Sequence, residues 1–147
     1  MFLTALLLLL YITTSFSPSN TLKYASRIFN NLKTKMNAEE YIWEQPSSSI
    51  EGVQFLRTKL KDYDGMIAVG SGTVSDSIKY ATFLEKKSYS VFATTPMNAY
   101  TTGTASISFD GIKKSLVGLS RFQSASIRLI IESCGRIQAV QVKPHRL

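Results

Sequence analysis

The chain has 147 residues, enough for one domain with a substantial core, and its 44% apolar content excludes wholesale disorder. A balance of 17 Lys+Arg against 10 Asp+Glu gives a net charge of +7, which favours anionic partners. The cations are scattered in pairs, Lys33/Lys35, Lys59/Lys61, Lys86-Lys87 and Lys113-Lys114, without the dense run or interleaved aromatics of a nucleic-acid surface, so no nucleic-acid partner is expected. The single cysteine, Cys134, cannot form an internal disulfide and fits a reducing compartment.

Residues 2–12 are almost entirely apolar, with consecutive leucines from Leu6 to Leu10. The run is well short of the about 20 residues a spanning helix needs, so membrane insertion is not expected. Its length suits the core of a signal peptide, with Ser15-Phe16-Ser17 as a small-x-small site. However, no Lys or Arg precedes it, and Pro18 follows directly. Burial within the fold is the expectation, and export is the alternative. From residue 21 to 35, Leu22, Ala25, Ile28/Phe29 and Leu32 share one helical face, with Ser19 or Asn20 as cap. Tyr41-Ile42-Trp43 reads as a short strand, and Pro46 with Ser47, Ser48 and Ser49 as a loop. Ser48 and Glu51 form a capping box for a helix marked by Ile50, Val53, Leu56 and Leu60.

Met66 to Val69 is a short apolar run between Asp64-Gly65 and Gly70, the pattern of a strand buried on both faces. From Thr73 the pattern turns helical, with Val74, Ile78, Ala81 and Leu84 at steps of four, three and three. Strand, glycine turn and helix together aim free backbone N–H groups and a positive dipole end at an anion. Gly70 and Gly72 carry no Cβ to hold a phosphate off. The third glycine of a dinucleotide fingerprint is replaced by Ser75, and the lysine of a P-loop is missing. Taken alone, the turn is as compatible with a structural bend as with phosphate binding.

Lys86-Lys87-Ser88 breaks the helix, and Tyr89 to Ala93 reads as a strand with Thr94, Thr95 and Asn98 at its C-terminal end. Ala105 to Phe109, Asp110-Gly111, then Ile112 to Val117 reads as a β-hairpin in which Lys113 and Lys114 are solvated. Residues 124–131 fit a short helix or strand, and residues 118–147 as a whole are expected to be an irregular tail. The order predicts an α/β fold, Rossmann-like, with a mostly parallel sheet, flanking helices and a C-terminal hairpin. It divides into an apolar N-terminal segment (1–18), an α/β domain (19–117) and the tail (118–147).

Three blocks carry a resemblance: Ala68-Val69-Gly70-Ser71-Gly72-Thr73-Val74-Ser75-Asp76 with Lys79-Tyr80, residues 91–102, and Asp110-Gly111-Ile112-Lys113-Lys114-Ser115. Together they resemble the nucleotide-binding half of bacterial glycerol-1-phosphate dehydrogenases, within the group of iron-type alcohol dehydrogenases and dehydroquinate synthases. The resemblance implies that the α/β domain (19–117) is nucleotide-binding. The resemblance implies a cytoplasmic enzyme that passes a hydride between NAD or NADP and a small phosphorylated substrate, dihydroxyacetone phosphate. It implies cofactor contacts from Gly70, Ser71, Gly72, Thr73, Asp76, Thr94, Thr95 and Thr102, and substrate contact from Asn98. Ala99 stands where the motif commonly has glycine, and Pro18-Ser19 stand where an acidic residue often precedes Asn-Thr, which leaves NAD versus NADP open.

The same resemblance implies a helical second domain that supplies an aspartate and two histidines to a divalent metal. The sequence has one histidine, His145, and Cys134 with it matches no standard metal spacing. The metal site and the helical domain are therefore expected to be missing, and the chain alone inactive, as a truncated or split enzyme. A separate C-terminal fragment or a homo-oligomer would be its partner. The alternative is a non-catalytic remnant that binds a nucleotide or phosphate.

Overall fold

The computed structural model describes residues 6–11, 18–70, 72–93, 103–119, 126–130 and 137–141, with side chains over 25–70, 72–92 and 103–119. In chain order the elements are β1 (Leu6–Tyr11), α1 (Pro18–Lys33), β2 (Asn37–Ile42), α2 (Ile50–Leu60), β3 (Gly65–Gly70) and α3 (Gly72–Glu85). They continue with β4 (Ser88–Ala93), β5 (Ala105–Phe109), β6 (Ile112–Leu116), β7 (Ser126–Ile130) and β8 (Ile137–Gln141). The main sheet has the order β2-β1-β3-β4-β7-β8, and β5 with β6 forms a separate hairpin. The strands from β2 to β7 pair in parallel, and only β8 runs antiparallel to its neighbour.

The leucine run becomes β1, held between β2 and β3. A strand with neighbours on both sides suits a run without polar side chains. Among the described residues, no helix is long and apolar enough to cross a membrane. β3 is buried at every position, and its alternation feeds two cores. Met66 and Ala68 pack with Val53, Leu56 and Leu60 of α2 and Val74, Ile78 and Ala81 of α3. Ile67 and Val69 pack on the other face against Ala25, Ile28, Phe29 and Leu32 of α1. The period-2 strand thus places α1 on one face and α2 and α3 on the other. Right-handed crossovers require this arrangement, because β1 to β2 steps one way along the sheet while β2 to β3 and β3 to β4 step the other.

Several boundaries differ from the sequence expectation. Pro18 opens α1, so Ser19 and Asn20 lie in its first turn and do not cap it. β2 begins at Asn37 and ends before Trp43, and as an edge strand it tolerates the exposed Glu39 and Glu40. The cap of α2 is Ser49, whose hydroxyl accepts the Gly52 N–H at 3.3 Å. Ser48 instead offers its carbonyl to the Ser108 N–H at 2.7 Å, tying the loop to β5. Residues 118–147 are not wholly irregular, because β7 and β8 extend the sheet beyond β4.

Polar contacts fix the helices on one another. Arg57 Nε donates to Glu85 Oε1 at 2.6 Å between α2 and α3. Lys86 takes a left-handed conformation after α3, and Lys87 Nζ then reaches the Leu60 and Lys61 carbonyls at 2.7 and 2.9 Å. That ammonium caps the C-terminus of α2, where orphan carbonyls and the negative dipole end favour a cation. The Tyr63 hydroxyl donates to Glu39, and this bond pushes its pKa up to about 12. In the hairpin turn, Asp110 and Gly111 both take positive φ (49° and 81°), as a two-residue type I′ connection demands.

Gly52 marks the tightest backbone approach. A Cβ there would stand 2.5 Å from the Ser47 carbonyl oxygen and 3.4 Å from the Trp43 ring. Alanine ordinarily stabilises a helix interior by up to about 1 kcal/mol over glycine, but here the contact is with backbone, which cannot rotate away. Gly52→Ala is expected to destabilise the fold by about 1–3 kcal/mol. Urea unfolding checks this, and an unchanged midpoint would show that the Ser47 loop yields.

Candidate functional site

The helices that follow β1 and β3, α1 and α3, lie on opposite faces of the sheet although the two strands are neighbours. Such a reversal opens a crevice at the C-terminal strand ends, where α/β sheets take ligands. On one side of it stands the start of α1, on the other the start of α3. Neither helix carries an acidic residue in its first turn, so neither positive dipole end is neutralised from within.

Gly70 ends β3, buried and in register with Ala93 of β4, and Gly72 opens α3 at a partly exposed position. With glycine at both positions, an anion can approach the first N–H groups of α3 without meeting a Cβ. Thr73 follows, partly exposed, and its carbonyl accepts the Ser77 hydroxyl at 2.9 Å. Ser75 is fully buried, and its Oγ has no hydrogen-bond partner among the described residues. Ser71, Thr94, Thr95, Asn98 and Thr102 lie outside the described residues. The structure thus brings together Gly70, Gly72, Thr73 and Asp76 at the β3–α3 junction.

Asp76 faces the hairpin. Its Oδ2 accepts the Ser106 N–H at 3.2 Å, while its Oδ1 is buried with no partner among the described residues. One turn on, Lys79 is fully buried and donates from Nζ to the Thr104 carbonyl at 3.1 Å. Ser77 donates to the Ser47 carbonyl at 3.0 Å. Three polar positions on α3, Asp76, Ser77 and Lys79, therefore hold the start of β5 and the loop before α2. The reading of the sequence gave no role to Ser75, Ser77 or Lys79. The available signal was that Lys79 lies three residues after Asp76, on the same side of α3.

Burial pushes the Asp76 carboxyl above its usual range; the Ser106 N–H and the charges of Lys79 and Lys113 pull the other way without overcoming it. Burial likewise lowers the Lys79 ammonium, opposed by the Asp76 charge. Among the described residues no group of three or more His, Cys, Asp or Glu side chains stands together to hold a metal ion. Cys134 and His145 lie outside them. The described residues do not fit the donor set of a metal.

Residues 13–123 match the family described as iron-containing alcohol dehydrogenase. The chain belongs to that family. Its fold recurs in maleylacetate reductase from Agrobacterium tumefaciens, with a TM-score of 0.66 and 14% identity over 84% of this chain and 34% of that one. It recurs in iron-containing alcohol dehydrogenase from Corynebacterium glutamicum, at 0.60 and 16% over 84% and 33%. Glycerol dehydrogenase from Schizosaccharomyces pombe gives 0.60 and 18% over 78% and 29%. The chain therefore spans about a third of the length of these relatives. No curated protein matches the chain at a significant level.

The shift of Asp76 has a definite sign. A carboxyl whose folded pKa is raised holds its proton more tightly in the fold than in the unfolded chain. Its contribution to stability is complete below the ordinary carboxylate range and is lost as pH rises through the raised value. Asp76→Asn keeps an acceptor for the Ser106 N–H and removes the titration. Its melting temperature is expected to gain on that of the wild type as pH rises from about 4, the ordinary carboxylate value. Melting curves of both proteins across pH test this, and a constant difference would refute the assignment.

Proposed function

We propose that this chain binds a nicotinamide dinucleotide, NAD or NADP, across the crevice between β1 and β3, as the nucleotide-binding part of an alcohol-dehydrogenase-type oxidoreductase. The observation that carries the reading is the junction of β3 and α3, with glycine on both sides of the turn and no acid in the first turn of the helix. There Gly70, Ser71, Gly72 and Thr73 would take the pyrophosphate on backbone N–H groups. The Asp76 Oδ1, without a partner among the described residues, would accept from a ligand hydroxyl, and Thr94, Thr95 and Thr102 would line the nicotinamide side. The cofactor, when bound, supplies or accepts the hydride. The chain's own part is to bind and orient it.

The finer reading is reduction of dihydroxyacetone phosphate to sn-glycerol 1-phosphate for lipid headgroups, with Asn98 on the substrate, in the cytoplasm. It is supported by the three sequence blocks and by family membership. The family metal would come from residues beyond those described, in a further segment, a complementary chain or a second copy. A chain that binds the cofactor and never turns over with dihydroxyacetone phosphate and a divalent metal would be the non-catalytic binding module instead.

Gly72→Val puts a branched side chain where the phosphate must approach. Calorimetry is expected to show that the wild type binds NAD(H) or NADP(H) and that this variant loses at least about tenfold in affinity, the equivalent of one charge-assisted hydrogen bond. Equal binding by the two proteins would refute the site.

A further inference from the structure

Lys79 has the geometry of a working part of the site. A buried ammonium persists only where partners compensate its lost hydration. Lys79 is fully buried, its Nζ bonds the Thr104 carbonyl, and Asp76 lies one turn earlier on the same helix. A methionine would fill a similar volume at no such cost, so packing does not account for a lysine there. Among the described residues the Asp76 carboxylate is held by one oxygen, Oδ2 on the Ser106 N–H, and the buried Oδ1 has no partner.

We propose that Lys79 is a positioning residue for the dinucleotide site: it keeps the Asp76 carboxylate ionised and fixed against β5, so that Oδ1 meets the ligand as a hydrogen-bond acceptor. This rests on the dinucleotide reading above. The charges that act on Asp76 are Lys79 on its own helix and Lys113 on β6. β3 and β5 carry no ionisable side chain, and Tyr89 is the ionisable residue of β4. On α2, Arg57 is engaged by Glu85 at the far end of α3, and Glu51 and Lys59 are exposed. Lys79 is thus the buried cation beside this carboxyl. Without it, burial drives Asp76 towards the protonated form, in which one oxygen turns from acceptor into donor.

The test is calorimetric titration of the full chain with NADH and with NADPH, from about pH 4, the ordinary carboxylate value, up to neutral pH and beyond. Lys79→Met is expected to weaken binding about tenfold at neutral pH, the scale of one hydrogen bond to a charged group, and to move the midpoint of affinity against pH upwards. Lys79→Gln keeps a donor for the Thr104 carbonyl without the charge and is expected to show the same upward shift. In an Asp76→Asn background, Lys79→Met is expected to weaken binding no further, because Lys79 acts through the carboxylate. An additive loss in the double variant, or an unmoved pH profile in both single variants, would overturn the proposal. If neither single variant folds, the wild type decides: its affinity must fall on acidification through the carboxyl range, and a flat profile overturns the proposal. Absence of binding by the wild type at every pH would instead remove the dinucleotide reading beneath it.

Discussion

The rest of the structure depends on the burial of α3 on nearly every side. The sheet takes Val74, Ile78 and Ala81. The Ser47 loop takes Ser77, and the hairpin takes Asp76 and Lys79. A helix covered this way would ordinarily be apolar all round. Here part of its circumference is polar, and each covering piece is fixed by a directed bond as well as by area. Fully buried side chains such as Leu56, Leu60 and Ile78 each contribute about 1.5–3 kcal/mol of apolar transfer, yet apolar area is not directional. The serine, aspartate and lysine set the places where loop and hairpin dock, and so keep the start of α3 open towards the crevice.

Much of this fold is legible in the sequence because local pattern and tertiary demand agree. Val74, Ile78 and Ala81 fall on the sheet-facing stripe that their spacing announces. Asp110-Gly111 makes the tight turn that its composition requires, and the β3 run is buried throughout. The differences arise where tertiary pairing outweighs local preference. Asn37 to Glu40 carry no strand signal, yet hydrogen bonding to β1 draws them into β2 at an edge that accepts carboxylates. The leucine run is equally uninformative alone, since leucine favours helix; two parallel neighbours decide it. β7 and β8 have no clean alternation, and the open edge of β4 supplies the partner that makes β7 a strand.

The site is less legible than the fold. Glycine spacing marks Gly70 and Gly72, since the absence of a Cβ is a property of the residue itself. The resemblance adds Asp76. Nothing local marks Ser77 or Lys79, because their partners are backbone carbonyls of Ser47 and Thr104, thirty and twenty-five positions away. Carbonyls have no residue identity, so a side chain that seeks one does not announce its partner in the sequence. The spacing of Lys79 three residues after Asp76 is the hint available, and without the hairpin in view it reads as an exposed face.

The polar atoms that remain unpartnered separate structural need from ligand need. Two other buried hydroxyls of α3 find acceptors one turn back, Ser77 on Thr73 and Thr82 on Ile78. Two buried atoms without a partner among the described residues, Ser75 Oγ and Asp76 Oδ1, are consecutive in sequence and lie in the opening turns of α3. Leaving a buried polar group unmatched costs about 1–3 kcal/mol, and an alanine at position 75 would remove one such cost with little change in volume. Two such costs at one helix start weigh against a purely packed junction. A ligand that brings hydroxyl donors and a phosphate to that turn would satisfy groups that have no partner among the described residues, so binding and stability would rise together. The acid-free starts of α1 and α3 act in the same direction, since each leaves its positive end for an anion from outside the chain. Charge, unmatched acceptors and missing Cβ atoms thus converge on one crevice, which is why the dinucleotide reading is preferred to a structural bend.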